Sequence, residues 1–301
     1  MTGKIFDIKR FALHDGRGIR STLFLKGCPL NCPWCQNPEG RDSSINLHYF
    51  SSKCIGCGTC ESVCPKKAIK YHGQFPHVHI DKTLCDNCGI CVENCPAQAL
   101  SFDGKIISEE VAVQELLKDE LFYQTSGGGV TLSGGEPLFQ PEFSLKILQQ
   151  CREKGIHTAV ETCLAVPLDN IIPVIDFTNK FIVDIKIYDS EKHCAVTGKD
   201  NKQIFSNLEY LAKHDAELLI RIPLIPGFTA TEKNILAIGR YISSISENIP
   251  VELINYNPLA ENKFRLLNLE YCVEKNTLPY TAEQLDLFRS ILKKTGLSEI
   301  I

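Results

Sequence analysis

A charge excess of either sign, an apolar run of membrane length and a leader-like N-terminus are all missing from this 301-residue chain. Its 32 Lys and Arg nearly balance 36 Asp and Glu, leaving a net charge of −4. That is too little of either sign to draw the protein to nucleic acid or to an anionic membrane surface. No apolar run approaches the ~18 residues of a membrane span, and Met1-Thr-Gly-Lys4 leads into no signal-peptide core. A cytoplasmic protein is expected, with neither nucleic acid nor membrane among its partners. Tryptophan occurs once, as Trp34. The hydrophobic content of 44% suits one large domain, with or without a small second one.

Cysteine, by contrast, is abundant. Fifteen of them in a reducing compartment point to metal or redox chemistry rather than to disulfides. Between residues 52 and 101 the sequence repeats itself: Cys54, Cys57, Cys60 and Cys64-Pro65 return 31 residues later as Cys85, Cys88, Cys91 and Cys95-Pro96. Paired zinc knuckles or reduced structural thiols are one reading of such a run. Two four-iron clusters are the other, since eight tandem cysteines with both prolines fit poorly with zinc sites, which set CxxC pairs apart. A third group, Cys28, Cys32 and Cys35 in "GCPLNCPWC", stops at three.

Outside the repeat the chain alternates strands and helices. Short apolar runs without strict alternation predict strands at 21–26, 130–133, 158–162, 181–186, 218–223 and 251–255, as in parallel strands buried on both faces. Pro141 opens a helix that places Phe143, Ile147 and Cys151 on one face and closes at Gly155. Thr281-Ala-Glu-Gln284 is a capping box for a last helix burying Leu285, Phe288 and Leu292. The fold class is α/β, a partial (β/α)6 TIM-like barrel interrupted by a small insert. The divisions are 1–51 for the first part of the barrel, 52–101 for the insert and 102–301 for the remainder. Barrel chemistry sits at the C-terminal strand ends. Those ends read Gly27-Cys28, Gly134-Gly135-Glu136, Glu161-Thr162, Asp184 with Lys186, Arg221, and Asn255-Tyr256-Asn257.

Cys28-x3-Cys32-x2-Cys35 followed by Gly134-Gly135-Glu136 resembles the radical S-adenosylmethionine (SAM) superfamily. The preceding "HDGRGIRSTLFLKGC" is similar to the glycyl-radical-enzyme activating enzymes of the pyruvate formate-lyase activator type, and the insert resembles a two-cluster ferredoxin. The resemblance implies that Cys28, Cys32 and Cys35 hold a [4Fe–4S] cluster whose fourth iron is left open for SAM. It also implies reductive cleavage of SAM and hydrogen abstraction from a glycine of a partner glycyl radical enzyme. Cys54, Cys57, Cys60 and Cys95 would hold a second cluster and Cys85, Cys88, Cys91 and Cys64 a third. A flavodoxin or ferredoxin-type reductant and a monomeric protein are expected.

By the same resemblance Trp34 packs near the adenine, Gly134 and Gly135 let the backbone approach SAM, and Glu136 holds its ammonium. Asp184 and Lys186, at period-two spacing, would face the methionyl group; an internal salt bridge is the alternative. Arg221 joins this pocket. Glu161-Thr162 stands where the family has Asp-Thr, so a monovalent cation shared with Asp184 is an expectation weakened by the longer arm. Asn257 stands where the family has a His that contacts SAM's carboxylate. Asp15, in a turn with Arg17 where the family has proline, would position the partner's glycine loop. Two other readings are a radical SAM enzyme oxidising a peptide side chain, as sulfatase-maturing enzymes do, and a pure electron carrier, which leaves the strand-end charges unexplained.

Overall fold

The computed structural model of the chain describes residues 1–13, 16–267 and 269–301. The chain opens with a long strand, β1 (Thr2–Ala12), and returns antiparallel through β2 (Arg20–Leu25) to the first cysteine group. Four short strands, β3 (Leu47–Tyr49), β4 (Ile69–Tyr71), β5 (Val78–Ile80) and β6 (Leu100–Phe102), then build a small unit. β7 (Lys105–Ser108) pairs back onto β1. Five further strands alternate with helices: β8 (Gly129–Gly134), β9 (His157–Thr162), β10 (Lys180–Asp184), β11 (Leu218–Leu224) and β12 (Val251–Asn255).

Eight strands form one sheet in the order β12-β11-β10-β9-β8-β2-β1-β7. The six from β2 to β12 are parallel and coincide with the six apolar runs of the sequence. All therefore point their C-terminal ends the same way. Strands β1 and β7 were not expected. β1 exposes Lys4, Asp7, Lys9 and Arg10 while Ile5 is wholly buried, as in an antiparallel strand partly open to water.

The helix at Pro141–Glu153 buries Phe143, Ile147 and Cys151, with Gly155 at φ +70° after it. The last helix, Ala282–Lys293, starts in the expected capping box. It buries only Leu292 completely; Leu285 and Phe288 are half-buried against the main core, the helix packing chiefly on the helix at Glu232–Ile245.

The small unit has its own core of Leu47, Ile69, Val78, Cys91 and Leu100. Two hairpin-like pairs, β3 with β6 and β4 with β5, frame it, and its boundary strands reach Leu47 and Phe102, a few residues beyond the span read from the cysteines. Five buried apolar side chains are a slender core for about 55 residues.

Candidate functional site

Three backbone seams close the loop that carries the first cysteines. Gly27 N donates to Gly40 O (2.8 Å), Cys28 N to Arg41 O (3.0 Å) and Glu136 N to Gly27 O (2.8 Å). Leu30, Cys32 and Trp34 turn inward, and the Trp34 ring lies 5.0 Å from that of Phe228. Glycine is required here for packing. A Cβ on Gly135 would stand 2.2 Å from Gly40 O and 2.6 Å from Gly27 O, and one on Gly134 only 2.4 Å from Leu25 N. The backbone that Gly135 admits is that of the cysteine loop itself, and at Gly134 it is the end of β2, where the sequence suggested a ligand.

All fifteen cysteines are free. Burial pushes the Cys32 thiol up to about 11 and that of Cys35 up to about 12. Buried thiols of this kind ionise only when a cation compensates them, which is what a metal cluster provides. Lys186 looks onto this loop. Burial pulls its ammonium down, but Asp184 and the thiols of Cys32 and Cys163 outweigh that and hold it above its ordinary value. Its Nζ lies 2.9 Å from Asp184 Oδ2, the internal contact that the sequence left as the alternative to a ligand, with Lys186 two residues beyond the end of β10. Asp184 remains one-third exposed.

Glu136 is wholly buried and faces the end of β9. Its carboxylate accepts from Leu138 N (2.9 Å), Thr162 Oγ1 (2.8 and 2.9 Å), Cys163 N (2.8 Å) and Cys163 Sγ (3.1 Å). Burial raises its pKa, and the Cys163, Leu138 and Thr162 donors pull it back. A carboxylate so engaged ties the tip of β8 to the tip of β9, a role different from the ammonium contact expected of it. Glu161, next along β9, accepts from Ser133 Oγ and from Arg221 Nη1 (2.6 Å). Arg221 Nε donates to Glu252 Oε2 (2.7 Å), so one guanidinium spans the carboxylates of β9 and β12. A cation at Glu161 would have to share that carboxylate with Arg221. Asn257 is exposed, and its Oδ1 accepts from Leu259 N (3.0 Å), closing a local turn. Asp15 lies outside the described residues.

Ser133, Cys163 and Glu252 escaped the sequence reading. Glu252 interrupts an apolar strand just as Arg221 does, and that anomaly could have paired them; no spacing to another cysteine marks Cys163.

In the small unit, about 350 Å³ of empty space, partly open to solvent, is lined by Cys54, Cys57, Cys60 and Cys95. A second space of about 310 Å³ is lined by Cys64, Cys85, Cys88 and Cys91. Among the described residues no three His, Cys, Asp or Glu side chains converge as ligands of one metal ion. Each set of four thiols rings a volume, the arrangement a multi-metal cluster needs and a tetrahedral zinc site does not.

Comparison with known proteins agrees with this layout. Residues 22–237 match the model of the Radical SAM superfamily. The benzylsuccinate synthase activating enzyme of Thauera aromatica is 38% identical over 99% of the chain and 92% of that protein. The (2S)-3-sulfopropanediol sulfolyase activating enzyme of Bilophila wadsworthia is 41% identical over 91% of both. Among solved structures, a radical SAM methyltransferase from Sphaerobacter thermophilus shares the fold, with a TM-score of 0.51, 14% identity, and coverage of 72% of this chain and 61% of that one.

Proposed function

The chain belongs to the radical SAM superfamily and to its activating enzymes, and we propose how its residues divide the work among three [4Fe–4S] clusters, SAM and a protein substrate. One observation carries the reading. Three thiols, Cys32 buried and Cys28 and Cys35 partly buried, share one closed loop at the C-terminal end of six parallel strands, facing an ammonium and a set of strand-end charges. Cys28, Cys32 and Cys35 would hold the cluster with one iron left for SAM, an open position of the kind catalytic metals require. Held there, the cluster and SAM would supply the reductive cleavage of SAM that allows a hydrogen to be taken from a glycine of a partner glycyl radical enzyme.

This chain's residues bind and shield. Gly134 and Gly135 seat the cysteine loop, and Glu136, through Thr162 and Cys163, fixes the strand tips beneath it. Lys186 and Asp184 offer opposite charges to a zwitterionic methionyl group. Arg221 orders Glu161 and Glu252, and a monovalent cation between Glu161 and Asp184 would share the Glu161 carboxylate with that guanidinium. Trp34 covers the loop. Asn257 can offer its amide nitrogen to SAM while its oxygen accepts from Leu259 N. Asp15 is assigned to the partner's glycine loop on sequence grounds.

The two cysteine-lined spaces in the 47–102 unit would take the other two clusters, which also supply the core that five apolar side chains do not. With every iron ligated by protein, those clusters suit electron relay from a flavodoxin or ferredoxin-type donor to a monomeric enzyme. The test is to mix the anaerobically reconstituted, reduced protein with SAM and the glycyl radical enzyme encoded beside it. A glycyl radical in the electron paramagnetic resonance spectrum is expected. Cleavage of SAM with no protein radical on any such partner, and a radical instead on a non-glycine side chain of another protein, would replace the reading with peptide side-chain oxidation.

A further inference from the structure

Lysine is seldom wholly buried, and the rare cases are paired. Lys26 is one: it closes β2 two residues before Cys28, and its side chain has no exposed surface. Its Nζ donates to Glu39 O (2.6 Å), at the far end of the cysteine loop, and lies 3.1 Å from Asp103 Oδ1, at the exit of the small unit. The same carboxylate accepts from Asn46 N (2.8 Å), at the entry of that unit, and Asp103 Oδ2 lies 3.2 Å from His48 Nε2. Room for this lysine is built in, since a Cβ on Gly104 would stand 2.6 Å from Lys26 Cδ. One side chain thus joins the loop of Cys28, Cys32 and Cys35 to both chain crossings of the 47–102 unit.

Strand β3 shows where that joint leads. Successive side chains of a strand point to opposite faces. Leu47 lines the cavity of Cys64, Cys85, Cys88 and Cys91, and Tyr49 lines that of Cys54, Cys57, Cys60 and Cys95. His48, between them, points the other way into the Lys26–Asp103 contact. Lys26 is thus linked, through Asp103 and His48, to the strand that walls both cavities.

We infer that Lys26, with Asp103 as its counter-charge, is a positioning residue that fixes the small unit against the cysteine loop and so sets the separation across which electrons would pass between them. This rests on reading the unit as a carrier of two relay clusters. Asp103 supports it: burial would raise its carboxyl, but His48, Asn46 and Lys26 bring it down to about 2, so the counter-charge is present throughout the working pH range.

The experiment compares wild type with Lys26→Met and Asp103→Asn, all anaerobically reconstituted. Iron content is measured first, then 5′-deoxyadenosine formation driven by reduced flavodoxin and, separately, by a small titanium(III) reductant able to reach the Cys28 cluster directly. Both variants should keep ~12 irons. A displacement of the order of an ångström should slow the flavodoxin-driven rate about 10-fold or more, with the titanium-driven rate little changed. Magnetic broadening between the reduced clusters should weaken in parallel. Equal losses with both reductants would show that Lys26 acts on the Cys28 site itself, and flavodoxin rates equal to wild type would show that it sets nothing; either overturns the proposal. Wild type with only ~4 irons would remove the relay clusters on which it rests. Should Lys26→Met fail to fold, Asp103→Asn, which keeps the hydrogen-bonding shape, carries the comparison alone.

Discussion

Replacing Arg221 by Met removes the cation that spans Glu161 on β9 and Glu252 on β12 and leaves a side chain of similar length. The guanidinium is 8% exposed and the two carboxylates 24% and 26%. Removing one partner of a fully buried pair costs about 3–5 kcal/mol, whereas an exposed pair is worth about 0.2–1 kcal/mol. With both acids three-quarters buried, the loss should fall between, at about 2–3 kcal/mol. At about 2–4 °C per kcal/mol for a large domain, the apparent Tm should drop by about 5–10 °C. Anaerobic thermal unfolding followed by circular dichroism on the cluster-loaded protein reads this directly. Arg221→Lys keeps the charge and loses the fork, so it should recover only part of the loss. A cycle with Glu252→Gln should show coupling, because the two side chains share one hydrogen bond. An apparent Tm for Arg221→Met within ~1 °C of wild type, at equal iron content, would refute the triad as a structural element.

Gly135→Ala should force the cysteine loop off the strand tip, since the new Cβ has backbone oxygens of Gly40 and Gly27 at 2.2 and 2.6 Å; iron content should fall by ~4 while the small unit keeps its share. Asp184→Ala should weaken SAM binding by about 2–3 kcal/mol, roughly 30- to 150-fold in Kd by calorimetric titration, with iron unchanged. Unaltered affinity would leave Asp184 and Lys186 as an internal salt bridge only.

What was legible in the sequence follows from where water lies. The six parallel strands are buried on both faces, so each reads as an apolar run, and a lone charge within one, such as Arg221, stands out. β1 is half in water and its pairing with β2 is irregular, with register shifts after Ile5 and Lys9, so no run marks it. Cysteine spacing was legible because it is a property of the chain itself and needs no tertiary contact to be read. Side-chain partnerships between strands were not: that Glu136 meets Thr162 and Cys163 depends on the register of β8 against β9, which pairs Leu132 with Val160. Lys26 looked like an ordinary strand-end lysine. Only the return of residues 103–104 to β1 and β2 buries it.

The most direct test of the central claim combines iron counting with SAM cleavage in one protein, the variant with Cys28, Cys32 and Cys35 all changed to Ala. Three clusters in wild type and two in the variant predict ~12 and ~8 irons per chain, with 5′-deoxyadenosine formed by reduced wild type and none formed by the variant. Undiminished 5′-deoxyadenosine from the variant would contradict the assignment of those three thiols to the open cluster.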